Sequence, residues 1–258
     1  MKDNMFEDLL NDISGKEENE IVNHVVIIMD HSGSMNYQDR NQLALNNYNE
    51  QIQELKRQSD EKNQKTLLTL IEFSISYCTE IWEKDIHTID ELKDYSCSGS
   101  TALNDTIAAA IDKISKEVPE LKDKSKNHAV LFIIMTDGEE NASIEFGGIS
   151  GRNALRSIIK DKEKEGNYTF TFMGANLDVQ KDIVEGMAFS AGNTMSFTSD
   201  VKGFAGSRVA TNSGIAHYYG TRSDGGKNVD DFYNYTSNGV TSPHKINTTT
   251  GDINDDQS

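Results

Sequence analysis

The chain has 258 residues, 36% of them hydrophobic and 26% charged, with a formal net charge of -17. That length supports one sizeable α/β domain with a full core. No apolar run approaches the roughly 18 to 20 residues that a bilayer span needs, and so acidic a chain lacks the excess lysine and arginine that nucleic-acid backbones demand.

The N-terminus, "MKDNMFEDLLNDISGKEENE", carries seven acids and two lysines. It has no basic start followed by an apolar stretch, so it does not read as a secretory signal, and a cytoplasmic setting is the expectation. Met5, Phe6, Leu9, Leu10 and Ile13 recur at helical spacing within it, which predicts an amphipathic helix on an acidic arm, residues 1–20. Such a helix either docks on its own domain or binds a partner's groove.

From there strands and helices alternate. "HVVIIMD" (24–30) is an almost continuous apolar run, the mark of a strand buried on both faces of a parallel sheet. Residues 41–58 put Leu45, Tyr48, Ile52 and Leu55 on one helical face. "TLLTLIEFS" (66–74) and "YCTEIWEKDI" (77–86) stand too close together for a crossover, so they form an antiparallel pair at a sheet edge. A helix over 101–118 turns Leu103, Ile107, Ile111, Ile114 and Val118 inward and stops before Pro119.

"AVLFIIMTD" (129–137) is a second buried strand. A helix over about 151–165 stopped by Gly166, a strand "YTFTFMGAN" (168–176), a helix near 179–189, a strand "TMSFTS" (194–199) and a last helix over 200–219 follow. The alternation predicts a doubly wound, mostly parallel sheet with one antiparallel edge strand, over residues 21–219. Beyond about residue 220 the text turns to Asn, Thr, Ser, Asp and Gly, which predicts a polar, mostly disordered tail, 220–258, with Phe232, Tyr233 and Tyr235 as its few groups able to dock back. Cys78 and Cys97 form no disulfide framework and no zinc spacing, and are expected to be reduced and space-filling.

Both buried strands end on an aspartate, and that raises a chemical question. Ligands of open α/β sheets collect at the carboxyl ends of the strands, where the strand order reverses. Asp30, Ser32 and Ser34 follow the first buried strand in "DHSGSM"; Thr101 lies in "SGST" before a helix; Asp137 and Gly138 close the other buried strand in "IIMTDGEEN". Two carboxylates and three hydroxyls, without thiolate or imidazole, suit a hard cation: Mg²⁺ foremost, with Mn²⁺ and Ca²⁺ meeting the same donors. Two carboxylates only just balance a dication, so the ion is left wanting one more anionic oxygen, which a partner's Asp or Glu supplies. Taken singly, each residue has an ordinary alternative: an aspartate after a strand caps the next turn, and Thr101 is a plain N-cap.

The three segments together resemble the von Willebrand factor A domains, over about residues 22–217. "DHSGSM" fits their Asp-x-Ser-x-Ser loop, "GSTALNDTIAAAI" their second loop, and "TDGEEN" their third; "FTFMGAN" is similar to their fifth strand. The resemblance implies a metal-ion-dependent adhesion site in which Ser32, Ser34 and Thr101 contact the metal, with Asp30 and Asp137 acting directly or through water. It also implies a protein-binding adaptor of the kind found in the cytoplasm of bacteria and their phages. His31, Met35, Glu139, Glu140 and Asn176 are then expected on the rim, with Asp178 at the edge of the same crevice and Asp105 structural.

Two other readings stay in play. A phosphatase resembling the haloacid dehalogenases would use Asp30 as nucleophile and Asp137 as metal ligand, but position 32 then needs a second aspartate as general acid and base, and Ser32 cannot serve. The metal could instead only brace the fold. A serine hydrolase lacks its Gly-x-Ser-x-Gly elbow, and no phosphate-binding P-loop occurs: "GGISGR" (147–152) is a glycine-rich loop and no more.

Overall fold

The computed structural model describes residues 20–136, 140–175, 186–187, 189–234, 236–237 and 240–241. In chain order they form β1 (Ile21–Asp30), α1 (Arg40–Lys62), β2 (Lys65–Phe73), β3 (Tyr77–Asp85), α2 (Leu103–Glu117), β4 (Asn127–Thr136), α3 (Gly148–Glu165), β5 (Tyr168–Ala175), β6 (Thr194–Phe197) and α4 (Val201–Ser223). A two-residue pair, β7 (Thr236–Ser237) and β8 (Val240–Thr241), follows. The expected helix near 179–189 lies almost wholly outside the described residues, as does the amphipathic stretch of the N-terminal arm.

The main sheet has six strands in the order β3-β2-β1-β4-β5-β6. All pairs are parallel except β2 with β3. The sheet is thus doubly wound with one antiparallel edge, as the alternating pattern predicts. The link Ser74–Ser76 is closed by the Ser74 N–H donating to the Ser76 carbonyl at 2.8 Å, leaving no room for a crossover. From β1 the chain winds outward through β2 to β3, then crosses back to β4 on the other side of β1, so the strand order reverses between β1 and β4.

Burial follows the apolar runs. β1 from Val22, β4 from Ala129 and all of β5 are buried, because helices cover both faces of the sheet. Leu45, Tyr48, Ile52 and Leu55 of α1 and Phe204, Ile215 and Tyr218 of α4 pack with Val25, Ile27 and Met29 of β1. Leu103, Ile107, Ile111 and Ile114 of α2 and Leu155 and Ile159 of α3 pack with Val26 and Ile28 on the other face. Alternation along β1 assigns each side chain to its layer. Every helix residue expected to face inward does so. Neither cysteine is in a disulfide; Cys97 is buried and Cys78 is exposed, so only Cys97 fills core space. Among the described residues no helix is long and apolar enough to cross a membrane.

The expected boundary at 219/220 falls inside α4 and has to move. Arg222, at 0% exposure, is threaded among Asn23, Asn127 and the Val22 carbonyl at the foot of β1 and β4. Beyond the helix, Val229, Phe232 and Tyr233 are core residues. Phe232 lies against Gly214 of α4 so closely that a Cβ there would stand 2.3 Å from its ring. The backbone is pinned as well, by the Tyr233 N–H to the Gly192 carbonyl at 2.8 Å and the Phe232 N–H to Asn193 Oδ1 at 2.9 Å. The packed domain therefore reaches Asn234. Residues 242–258 lie outside the described residues.

Candidate metal centre

Asp30 ends β1 beside the end of β4, at the point where the strand order reverses. Its carboxylate is fully buried and oriented from two sides. Oδ1 accepts the Ser32 backbone N–H at 2.8 Å, folding the loop back over the strand end, and Oδ2 accepts the Thr136 hydroxyl from the last residue of β4. Ser32 is buried and Ser34 exposed, and their hydroxyl oxygens stand 3.0 Å apart. Two adjacent ligands of an octahedral Mg²⁺ at roughly 2.1 Å are about 3.0 Å apart as well, so the pair already spans one edge of such a polyhedron.

The second loop is fastened to the first. The Gly33 N–H donates to the Gly99 carbonyl at 2.9 Å, the Ser98 N–H to the His31 carbonyl at 2.8 Å, and Asn36 Nδ2 to the Cys97 carbonyl at 2.5 Å. Gly99 has a φ of +84°, in the left-handed region that favours glycine, and a Cβ on Gly33 would come within 3.3 Å of the Gly99 oxygen. Tyr95, buried beneath the loops, donates its phenol to the Asp30 carbonyl. Burial, with Cys97 and Asp30 adding, pushes that phenol well above its ordinary pKa, so it stays a donor.

Thr101 is buried and is held by the third loop. Its N–H donates to Asn141 Oδ1 at 2.9 Å, and its carbonyl accepts the N–H groups of Asn141 and Ala142 at 3.0 and 3.1 Å. Glu140, expected on the solvated rim, instead works as a clamp: its carboxylate accepts the N–H groups of Asn104, Ala142 and Ser143 and the Ser143 hydroxyl, at 2.7 to 2.9 Å. Asp105 is structural, as expected, accepting the N–H groups of Ile144, Glu145 and Phe146. Asp137 follows Thr136 directly but lies outside the described residues, as do Glu139, Asn176 and Asp178.

Two rim expectations need revision or refinement. Met35 is only 1% exposed and packs in the core, so no partner can touch it. The hydrophobic residue after the serine loop serves as an anchor for that loop. His31 does sit at the edge: its ring lies tilted against Tyr95 with centroids 5.0 Å apart, and its Nδ1 lies 3.9 Å from Glu72. Burial lowers the His31 pKa, partly countered by Glu80.

Exposed apolar groups that sequence reasoning passed over crowd this end of the sheet. Tyr37, Ile75, Tyr77, Ile144, Ile149 and Val201 are all at least 49% exposed. They lie on the loop after Ser34, the β2–β3 turn, the loop after β4 and the first turns of α3 and α4. Among large apolar side chains of comparable exposure in the described residues, only Val209 sits elsewhere. The signal was present only as single hydrophobes in loops, which singly mean nothing.

Among the described residues no three His, Cys, Asp or Glu side chains come together in a way that could hold a metal. A cation here depends on hydroxyls beside a carboxylate, and such a donor set fits a hard ion with labile positions.

Comparison with known proteins bears on the family and the fold. The family model of the von Willebrand factor type A domain matches residues 24–205. No curated protein matches the chain. Among solved structures, the PilB minor pilin from Streptococcus sanguinis is similar at 11% identity and a TM-score of 0.53, covering 80% of this chain and 62% of that one. The von Willebrand factor type A protein from Catenulispora acidiphila is similar at 16% identity and a TM-score of 0.50, covering 76% and 43%. Proximal thread matrix protein 1 from the mussel byssus, solved with a zinc-occupied MIDAS motif, is 17% identical with a TM-score of 0.49, covering 75% and 45%. This chain spans less than two thirds of each of those structures, and at such identities the likeness is one of fold.

Proposed function

Because this chain belongs to the von Willebrand factor type A domain family, we propose that it is a divalent-metal-dependent protein-binding domain and not an enzyme. Asp30, Ser32, Ser34 and Thr101, joined by Asp137, would hold Mg²⁺, and an Asp or Glu of a partner protein would complete its coordination. The bound ion would supply electrostatic attraction for that carboxylate.

One observation carries the reading. A buried carboxylate and paired hydroxyls stand at the switch point of the sheet, and exposed apolar side chains lie on loops and helix starts at that same end. A docking site needs both parts: an ion that supplies most of the attraction and an apolar rim that supplies selectivity. The haloacid-dehalogenase alternative calls for a second aspartate at position 32, where this chain has Ser32, whose hydroxyl oxygen lies 3.0 Å from that of Ser34.

The brace reading has its own support in the hydrogen bonds that tie the loops together without any ion, so the test must separate the two. The chain is used to capture proteins from lysate with Mg²⁺, with EDTA, and as Asp30→Ala, with thermal unfolding followed in parallel. Capture that needs both the ion and Asp30 supports docking. Capture indifferent to both, together with loss of Mg²⁺-dependent thermal stabilisation, leaves the metal as a brace and overturns the proposal.

A further inference from the structure

Between β3 and α2 the chain runs over residues 89–102 as neither helix nor strand. Residues 90–96 exchange no backbone–backbone hydrogen bond with any described residue. The segment is nonetheless anchored, with Ile89, Tyr95 and Cys97 buried, and it ends on the loop that carries Thr101. Backbone N–H and C=O groups drawn in from water need partners, and side chains of α1 supply them.

Asn41 Nδ2 donates to the Tyr95 carbonyl at 3.4 Å. Asn49 closes both sides of Leu92, donating to its carbonyl and accepting its N–H at 2.9 Å each. Gln53 Nε2 reaches the Glu91 carboxylate at 3.4 Å, and Lys56 donates to the Ile89 carbonyl at 2.6 Å. Asn49, Gln53 and Lys56 each follow a core residue of α1 by one position, after Tyr48, Ile52 and Leu55, so they form a polar stripe along the border of its buried face. As α1 runs from Asn41 to Lys56, its partners step back from Tyr95 to Ile89. The lengths agree: from residue 41 to 56 the helix rises about 22 Å, and an extended chain from residue 89 to 95 spans about 20 Å.

We propose that this stripe, with Asn49 at its centre, positions the metal centre: it holds the strap 89–98 on α1 so that the loop bearing Thr101 stays in register with the loop bearing Ser32 and Ser34. The inference rests on the metal-binding reading above. α1 begins at Arg40, six residues after Ser34, so a strap fastened to it refers the second loop to the same rigid body as the first. The bonds from Ser98 to His31 and from Gly33 to Gly99 join the two loops to each other, whereas the stripe ties the chain that leads into them to a helix. Asn49 is a positioning residue that acts through Leu92. Without its two bonds the strap visits arrangements in which Thr101 is displaced, and apparent affinity for the ion falls with the fraction of chains left competent.

The test measures Mg²⁺ binding by calorimetry on the full chain, on Asn49→Ala, and on Ile159→Val, a core truncation in α3 on the opposite face of the sheet. Urea unfolding and amide hydrogen exchange are followed on each. Asn49→Ala should weaken Mg²⁺ binding roughly ten-fold and speed exchange at Leu92 and Ser98 while the amides of β4 stay protected. Ile159→Val should lower the urea midpoint and leave the affinity alone. Asn41→Ala, which removes the bond to the Tyr95 carbonyl, should weaken binding in the same sense and serves if Asn49→Ala does not fold. Unchanged affinity in the stripe variants overturns the inference and leaves the metal reading standing. Equal weakening in Ile159→Val also overturns it, because general loosening then accounts for both. A parent chain that binds no Mg²⁺ overturns the metal reading and this inference with it.

Discussion

Tyr95 shows how a single residue can shape the first loop from beneath it. Its phenol donates to the carbonyl of Asp30 and its ring supports His31, so it fixes the backbone from which the first loop departs. Tyr95→Phe keeps the ring and removes one donor, leaving a buried carbonyl without it. That change costs roughly 1 to 2 kcal/mol, measured as a lower urea midpoint. Because the loop loses its anchor, Mg²⁺ affinity should also fall several-fold by calorimetry, whereas a purely structural role would lower the midpoint alone. Nothing in the sequence around Tyr95 announces this. Asp30, Ser32, Ser34 and Thr101 could be read because they stand in short motifs at the ends of a strand and before a helix, where sequence spacing alone marks them. Tyr95, Thr136 and Asn141 act through positions that only the closed loops define. Glu140 and Met35 illustrate the converse: a charge next to the site and a hydrophobe next to the serines look like rim groups until their backbone partners and burial are known.

At the level of elements, β3 spends a bulge to turn a carboxylate inward. Thr69 of β2 is faced by both Trp82 and Glu83, and Glu83 takes a φ of +44°. Its carboxylate then meets His24 Nδ1 at 2.5 Å, and His24 Nε2 lies 3.0 Å from His128 Nδ1, which bridges β3, β1 and β4 at the foot of the sheet. Burial, followed by the adjacent His24, pulls the His128 pKa from 6.5 down to about 4. The unfolded chain thus takes up a proton near pH 6.5 that the native state refuses until about pH 4. Stability from this group is complete above the higher value and is lost as pH falls towards the lower one. A shift of that size is discounted for a half-exposed ring to about 1 to 2 kcal/mol. Comparing urea midpoints at pH 7 and pH 4.5, His128→Gln should lose less stability than the parent protein by that amount. Equal losses would mean that the His128 imidazole does not resist protonation. Strands and helices were legible here because apolar periodicity names them, whereas the bulge and the return of Phe232 and Tyr233 to the core were not. Both depend on space made elsewhere, at Thr69 and at Gly214, and local polarity around residue 230 pointed the other way.

The whole molecule puts its charge and its exposed apolar groups to different uses. A net charge of -17 disfavours unspecific contact with acidic surfaces, so under the proposed function a partner's carboxylate would approach where a bound ion offsets the field. The exposed hydrophobes belong to that same end of the sheet, carried by loops and helix starts that the core holds in place. If they select the partner, substituting them should weaken capture without weakening the fold. Ile75→Asp and Ile149→Asp alter side chains that are 68% and 84% exposed, so each should change stability by less than about 0.5 kcal/mol. Each should nevertheless reduce Mg²⁺-dependent capture of the partner at least ten-fold, since an introduced carboxylate would both lose apolar contact and repel the acidic group that seeks the ion. Val209→Asp, on the outer face of α4 and 56% exposed, adds the same charge away from the site and should leave capture unchanged. Should all three variants capture equally well, partner choice would rest with the ion alone. If Val209→Asp proved as damaging as the other two, net charge rather than the rim would govern binding.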